Sequence, residues 1–263
     1  MEIIVKQTEH ELAEVAADAI QDLVERKPDA VLGVATGSSP LPIYRELGAR
    51  VKAGTMSLAR AKAYQLDEYV GLPADHPQGY RNFVEREFVA ITDIESRNVH
   101  GENGQAQDLI AECARYEQEI VDAGGIDLQI LGIGVDGHIA FNEPGTSLGS
   151  LTHPAVLTEQ TRRDNARFFD GDITQVPTHA LTQGVGTILR SRTAVLIATG
   201  ANKADAVAAM VEGPVTSLCT GSALQLHPNV KILLDEPAAS KLKNLDFYRE
   251  IFDRRPEGTW LGL

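Results

Sequence analysis

The chain has almost no cysteine, Cys113 and Cys219 being its only two in 263 residues. Two thiols so far apart make neither a disulfide framework nor a paired metal-binding motif, and they suit a reducing compartment. Long apolar runs are missing too. Stretches such as 130–135 and 194–198 fall far short of the roughly 20 residues that span a bilayer. The first residues, Met1-Glu2-Ile3-Ile4-Val5-Lys6, show no basic region leading into an apolar one, so no export signal is visible and the expected location is cytoplasmic. Basic charge is scarce. A formal net charge of -13 repels phosphate-rich polymers at long range, and no basic run offsets it locally. Neither nucleic acid nor membrane is an expected partner. A small anionic ligand would have to be met by a few placed Arg or Lys side chains and by backbone N–H groups at helix starts.

What is present is the patterning of an ordinary globular enzyme. The 43% apolar content is enough for a large core at this length. Short apolar runs at 30–35, 61–66, 126–133, 193–198 and 230–234 each suit a buried strand. Helical spacing falls between them. It begins at Thr8, with Leu12, Val15, Ala16, Ile20 and Leu23 on one face and Thr8 and Glu11 spaced as a capping box, and stops near Lys27-Pro28. It returns at 41–52, 80–89, 108–123, 180–190, 203–211 and 238–252. This alternation predicts an α/β fold with a mostly parallel, Rossmann-like open sheet and helices on both faces. No repeat, low-complexity stretch or shift in composition marks a second domain, so 1–263 is read as a single α/β catalytic domain. Residues 144–177, rich in Gly, Ser, Thr and charge but poor in periodicity, read as a small lid.

In such sheets, ligands bind beyond the carboxyl ends of the strands. Four segments stand there: Thr36-Gly37-Ser38-Ser39-Pro40, Asp67-Glu68-Tyr69, Gly134-Val135-Asp136-Gly137-His138 and Thr199-Gly200-Ala201-Asn202-Lys203. The first holds a turn glycine, two hydroxyls and prolines at 40 and 42. That set suits a phosphate at a helix start and equally suits plain capping by serine. Asp136, His138 and Glu143 crowd two carboxylates and an imidazole into eight residues. They fit a proton-transfer triad, an Asp/His/Glu metal site, or a polar loop whose groups cap one another. The metal reading ranks second, because no further His or Cys stands nearby. Asp67 and Glu68 alternate between a functional pair and a helix cap with a solvated charge.

The motifs TGSSP (36–40), LDEYVGL (66–72), GVDGHIAFNEP (134–144), ARFF (166–169), QVPTHALTQGVGTIL (175–189) and LQLHP (224–228) together resemble glucosamine-6-phosphate deaminases. The similarity runs nearly end to end. The fold-related 6-phosphogluconolactonases share the phosphate turn and a DGH-like segment but usually lack the EYVGL and FNEP continuations. The resemblance implies conversion of glucosamine 6-phosphate and water to fructose 6-phosphate and ammonia, with no metal and no cofactor. It implies that His138 opens the sugar ring while Asp136 and Glu143 orient it, and that Asp67 carries the proton from C2 to C1. It places the phosphate near Ser38, Ser39, Arg167 and Lys203, with Thr36, Gly37 and Gly137 in the pocket. The implied partner is a small amino sugar phosphate, and a homo-oligomer is compatible with it. Some relatives are hexamers activated by N-acetylglucosamine 6-phosphate through basic residues after the FNEP block. Residues 150–156 contain no Arg or Lys, so no such activation is expected.

Overall fold

In the computed structural model, which describes residues 1–255, the expected alternation is realised and extended. Strand β1 (Glu2–Lys6) is followed by helix α1 (Glu9–Arg26), whose Thr8–Glu11 capping box forms in both directions. Then come β2 (Val31–Val34), α2 (Leu41–Ala53), β3 (Lys62–Gln65), β4 (Asp67–Tyr69) and α3 (Tyr80–Glu87). The middle of the chain supplies β5 (Val99–His100), α4 (Leu109–Asp122) and β6 (Leu128–Leu131). Next are β7 (His153–Val156), α5 (Glu159–Asn165), β8 (His179–Thr182) and α6 (Val185–Leu189). The last elements are β9 (Thr193–Ala198), α7 (Ala204–Glu212), β10 (Val230–Asp235), α8 (Glu236–Ala239) and α9 (Leu245–Asp253).

Seven strands form one sheet in the order β1-β10-β9-β6-β2-β3-β5, and every pairing in it is parallel. From β2 the chain winds outward through β3 to β5, then returns to the other side of β2 and winds through β6, β9 and β10. The direction therefore reverses between β2 and β6, and the loops that leave these two neighbours part there. Such a switch point is where an open α/β sheet forms its binding crevice. The inner strands are mostly apolar and almost wholly buried, as a sheet covered on both faces requires, and they form the main core with α1 and α2.

A second, three-stranded sheet, β4-β8-β7, is antiparallel. It has its own core around Tyr69, Phe141, Phe169 and Val176. The span 144–177 belongs largely to this layer, carrying β7 and α5 where the sequence shows little periodicity. Residues 180–190, expected as one helix, divide into β8 and α6, because Ala180, Leu181 and Thr182 pair with β4. The expected helix 238–252 also divides, into α8 and α9. Among the described residues no helix is long and apolar enough to cross a membrane.

Candidate active site

The loops after β2, β3, β6 and β9 converge on a cavity of about 440 Å³, within the usual range for small-molecule sites. Thr36, Gly37, Ser38, Ser39, Asp67, His138, Arg167 and Lys203 all line it. Asp136 and Glu143 stand behind His138 and outside the wall. Gly137 is also outside: it adopts φ +89 and packs so that a Cβ would sit 2.5 Å from Cys219 Sγ. Its role is to let the loop turn, not to form the pocket.

Ser38 and Ser39 do not cap α2. The N-cap is Pro40, with no side-chain cap hydrogen bond, so the capping alternative falls away and both hydroxyls remain at the cavity. Arg167, also on the cavity wall, is exposed and stacks over the Phe168 ring at 4.7 Å. Lys203 is half-buried and donates from Nζ to the Ile133 carbonyl at 2.7 Å. Burial, and then the neighbouring Arg167 charge, push its pKa below the usual lysine value. Two cations and two hydroxyls thus line one cavity, groups of the kind that meet an anionic ligand.

The 136–143 loop is pinned from several sides. Phe141 N donates to Thr182 Oγ1 at 3.1 Å, Ile139 N to Thr220 Oγ1 at 3.3 Å, and the buried Asn142 amide to the carbonyls of Ile139 and Gln183 at 3.0 and 2.9 Å. Ala140 is held at φ 50, a left-handed conformation that costs energy for a residue with a Cβ. Gly134 lets the His138 ring lie against the backbone, since a Cβ there would come within 2.5 Å of the ring. His138 Nδ1 stands 2.8 Å from Asp136 Oδ1 and 3.6 Å from Glu143 Oε2. Nδ1 makes no fully aligned hydrogen bond, but both carboxylates lie close enough to favour its charged form. Burial opposes a charged imidazole, but the two carboxylates outweigh it and raise His138 to about 9. Burial likewise opposes ionisation of Asp136, and contact with His138 overcomes it, lowering Asp136 to about 2. One ligand atom from each of Asp136, His138 and Glu143 lies within 4.8 Å of the others, so the spacing also accommodates the metal reading, and chelation separates the two.

Asp67 lies at the junction where the chain leaves β3 for β4 and changes sheets. It is 6% exposed and raised to about 8, chiefly by burial and secondly by Glu68, with His138 opposing. Glu68 is no solvated charge. It is buried and accepts from Tyr69 N at 2.8 Å, Tyr80 N at 2.9 Å and Arg81 N at 2.8 Å, so it caps α3 from a distance. Reasoning from sequence missed Tyr80 and Asn165, which also line the cavity. Tyr80 OH donates to Tyr69 OH at 3.1 Å, and Asn165 Nδ2 to the same oxygen at 2.9 Å. The Tyr within the LDEYVGL motif was the available signal for this cluster.

Fold and site define an open α/β enzyme that works by acid–base chemistry on a small phosphorylated substrate. The chain belongs to the family described as glucosamine-6-phosphate isomerases/6-phosphogluconolactonase, which matches residues 5–226. It is 54% identical to a glucosamine-6-phosphate deaminase of Mycolicibacterium smegmatis and 53% identical to one of Streptomyces coelicolor, each over 263 residues and 100% of both chains. Among solved structures it is similar to a monomeric glucosamine-6-phosphate deaminase, with a TM-score of 0.89 and 44% identity, covering 92% of this chain and 100% of that one. A 6-phosphogluconolactonase of Trypanosoma brucei shares the fold alone, with a TM-score of 0.73 at 20% identity, covering 92% of this chain and 98% of that one.

Proposed function

We propose that the cavity converts glucosamine 6-phosphate and water to fructose 6-phosphate and ammonia, with Asp67, Asp136, His138 and Glu143 as its acid–base groups. The observation that carries these roles is the pairing, in one cavity that Arg167 and Lys203 also line, of a buried carboxyl near 8 with an imidazole near 9. An imidazole with an ordinary pKa would begin by taking a proton. His138 is instead charged at neutral pH, so it first donates to the ring oxygen and then receives the proton of the anomeric hydroxyl, which leaves it recharged. The opened sugar has an aldehyde at C1 and an ammonium at C2. Asp67, deprotonated beside that ammonium, removes the C2 proton while an ammonium proton passes to the C1 oxygen, which gives a neutral enolamine; Asp67 then returns its proton to C1 and leaves a protonated ketimine. Water adds at C2, ammonia leaves, and the C2 ketone of fructose 6-phosphate remains. These steps run on protein groups alone.

Ser38, Ser39, Arg167 and Lys203 hold the phosphate, Arg167 by two parallel hydrogen bonds and Lys203 as a point charge. Thr36 and Gly37 complete that wall. The 144–177 segment is the lid of a single catalytic domain, bringing Arg167 onto the phosphate and shutting out water. The lactonase reaction is the competing assignment. It hydrolyses an ester and has no use for an enolising base, whereas a buried carboxyl raised to about 8, Asp67, lines this cavity and suits that task. Incubation with glucosamine 6-phosphate and, separately, with 6-phosphogluconolactone decides between them. Ammonia and fructose 6-phosphate are expected from the first, and lactone hydrolysis without ammonia overturns the assignment.

The activity runs without an allosteric activator. No Arg or Lys lies in 150–156, and His153 Nδ1 is engaged with the Leu151 carbonyl at 2.8 Å. An effector phosphate finds little differential binding energy there to shift an equilibrium. The assembly is correspondingly small.

A further inference from the structure

Glu143 is the triad member that meets His138 less closely, and its orientation is set from the opposite side. Its Oε1 accepts from Thr161 Oγ1 at 2.6 Å and from Thr158 N at 3.2 Å. The two threonines are themselves chained: Thr161 N donates to Thr158 Oγ1 at 3.2 Å, and Thr158 Oγ1 donates to Thr161 Oγ1 at 3.0 Å. Each hydroxyl polarises the next, and the run ends on the carboxylate. Thr161 is 5% exposed, so water competes little for that last bond. Capping of α5 needs only Thr158. The Thr161 hydroxyl adds nothing to the helix, and a β-branched residue is a poor helix former. Its one outward bond goes to Glu143.

The same segment reaches the rest of the pocket within a turn and a half. Asn165 bonds the Tyr69 hydroxyl, and Arg167 follows on a short 3-10 turn, Ala166–Phe168. One stretch of backbone thus meets the triad, the aromatic wall and, through Arg167, the cationic part of the cavity.

We propose that Thr161 is a positioning residue for ring opening, its hydroxyl holding Glu143 in the orientation from which the carboxylate faces His138. The inference rests on the reaction assigned above. Without that donor, Glu143 keeps only the longer bond from Thr158 N, its orientation loosens and its hold on His138 weakens, so proton delivery to the ring oxygen slows. Proton transfer between C2 and C1 belongs to Asp67 and is spared.

Thr161→Val keeps the β-branch and the volume while removing the donor, and Thr161→Ser keeps the donor. Two rates are compared in wild type and both variants. The first is ammonia release from glucosamine 6-phosphate. The second is incorporation of solvent deuterium at C1 of fructose 6-phosphate in the presence of ammonium, which needs no pyranose opening. The Val variant is expected to lose about tenfold in kcat, about 1.4 kcal/mol of barrier, at a nearly unchanged KM. Its deuterium exchange should stay near wild type, and the Ser variant should recover kcat. An unchanged kcat, equal losses in the two assays, or a Ser variant as impaired as Val would overturn the proposal. A wild-type protein that releases no ammonia would instead overturn the assigned reaction, so the two failures read differently.

Discussion

Replacing Asp67 by Asn should make the protein more stable and less active at once, and the size of the first effect follows from burial. The carboxyl is raised from 3.8 to about 8, mainly by desolvation. A group whose pKa is higher in the folded state contributes its full stability below the unfolded value and loses it as pH rises through the folded value. For Asp67 that window runs from about pH 4 to about pH 8. Each unit costs about 1.4 kcal/mol, so by pH 7 the charge-capable side chain costs about 4 kcal/mol relative to one that never ionises. Asn has the same shape and no charge to desolvate. At this chain length the gain corresponds to roughly 10 °C in Tm. The assay is unfolding of wild type and Asp67→Asn by heat and by denaturant, at intervals from about pH 4 to about pH 8. The two should nearly coincide at the acid end and diverge as pH rises. His138, also raised, loses its contribution between 6.5 and about 9 in both proteins, so the difference isolates Asp67. Parallel curves, or an Asn variant less stable at pH 8, would refute the reasoning. In the same variant, solvent deuterium should no longer enter C1, and wild-type incorporation would remove Asp67 from the chemistry.

His138→Gln should slow turnover of the cyclic substrate far more than that of an open-chain analogue, as steady-state rates on both would show; equal losses would contradict its ring-opening role. Lys203→Ala and Arg167→Ala should mainly raise KM for substrates bearing the 6-phosphate, and an unaltered preference for phosphorylated over free glucosamine would put the anchor elsewhere. EDTA should leave ammonia release unchanged; a loss restored by a divalent ion would move Asp136, His138 and Glu143 to the metal reading. Rate curves should be hyperbolic without effector, and sigmoidal curves made hyperbolic by N-acetylglucosamine 6-phosphate would refute the reading of 150–156.

The parts of the fold that were legible in the sequence are those whose burial writes a period into it. β2, β6, β9 and β10 are mostly apolar and buried because both faces of the main sheet are covered, and α1 announces itself by its stripe and its capping box. β4 and β5 were missed for the opposite reason. They span three and two residues, too few to carry a period. β8 was read as helix because its four residues run directly toward α6, and only its pairing with β4, more than a hundred residues earlier, selects the extended form. The site divides along the same line. Identities of the acid–base residues came from adjacency to strand ends, a local property. Their proton affinities did not, because Asp67 and Glu68 are neighbours on one short strand with opposite tasks. The Glu68 carboxylate is taken up by three backbone N–H groups, that of adjacent Tyr69 and two at the start of α3, while the causes acting on Asp67 are burial and the charges of Glu68 and His138, with no hydrogen bond to favour its anion. A carboxyl that accepts no hydrogen bond in its ionised form stays poised to exchange a proton. That distinction, made by a helix start twelve residues further along the chain, separates the cap from the base.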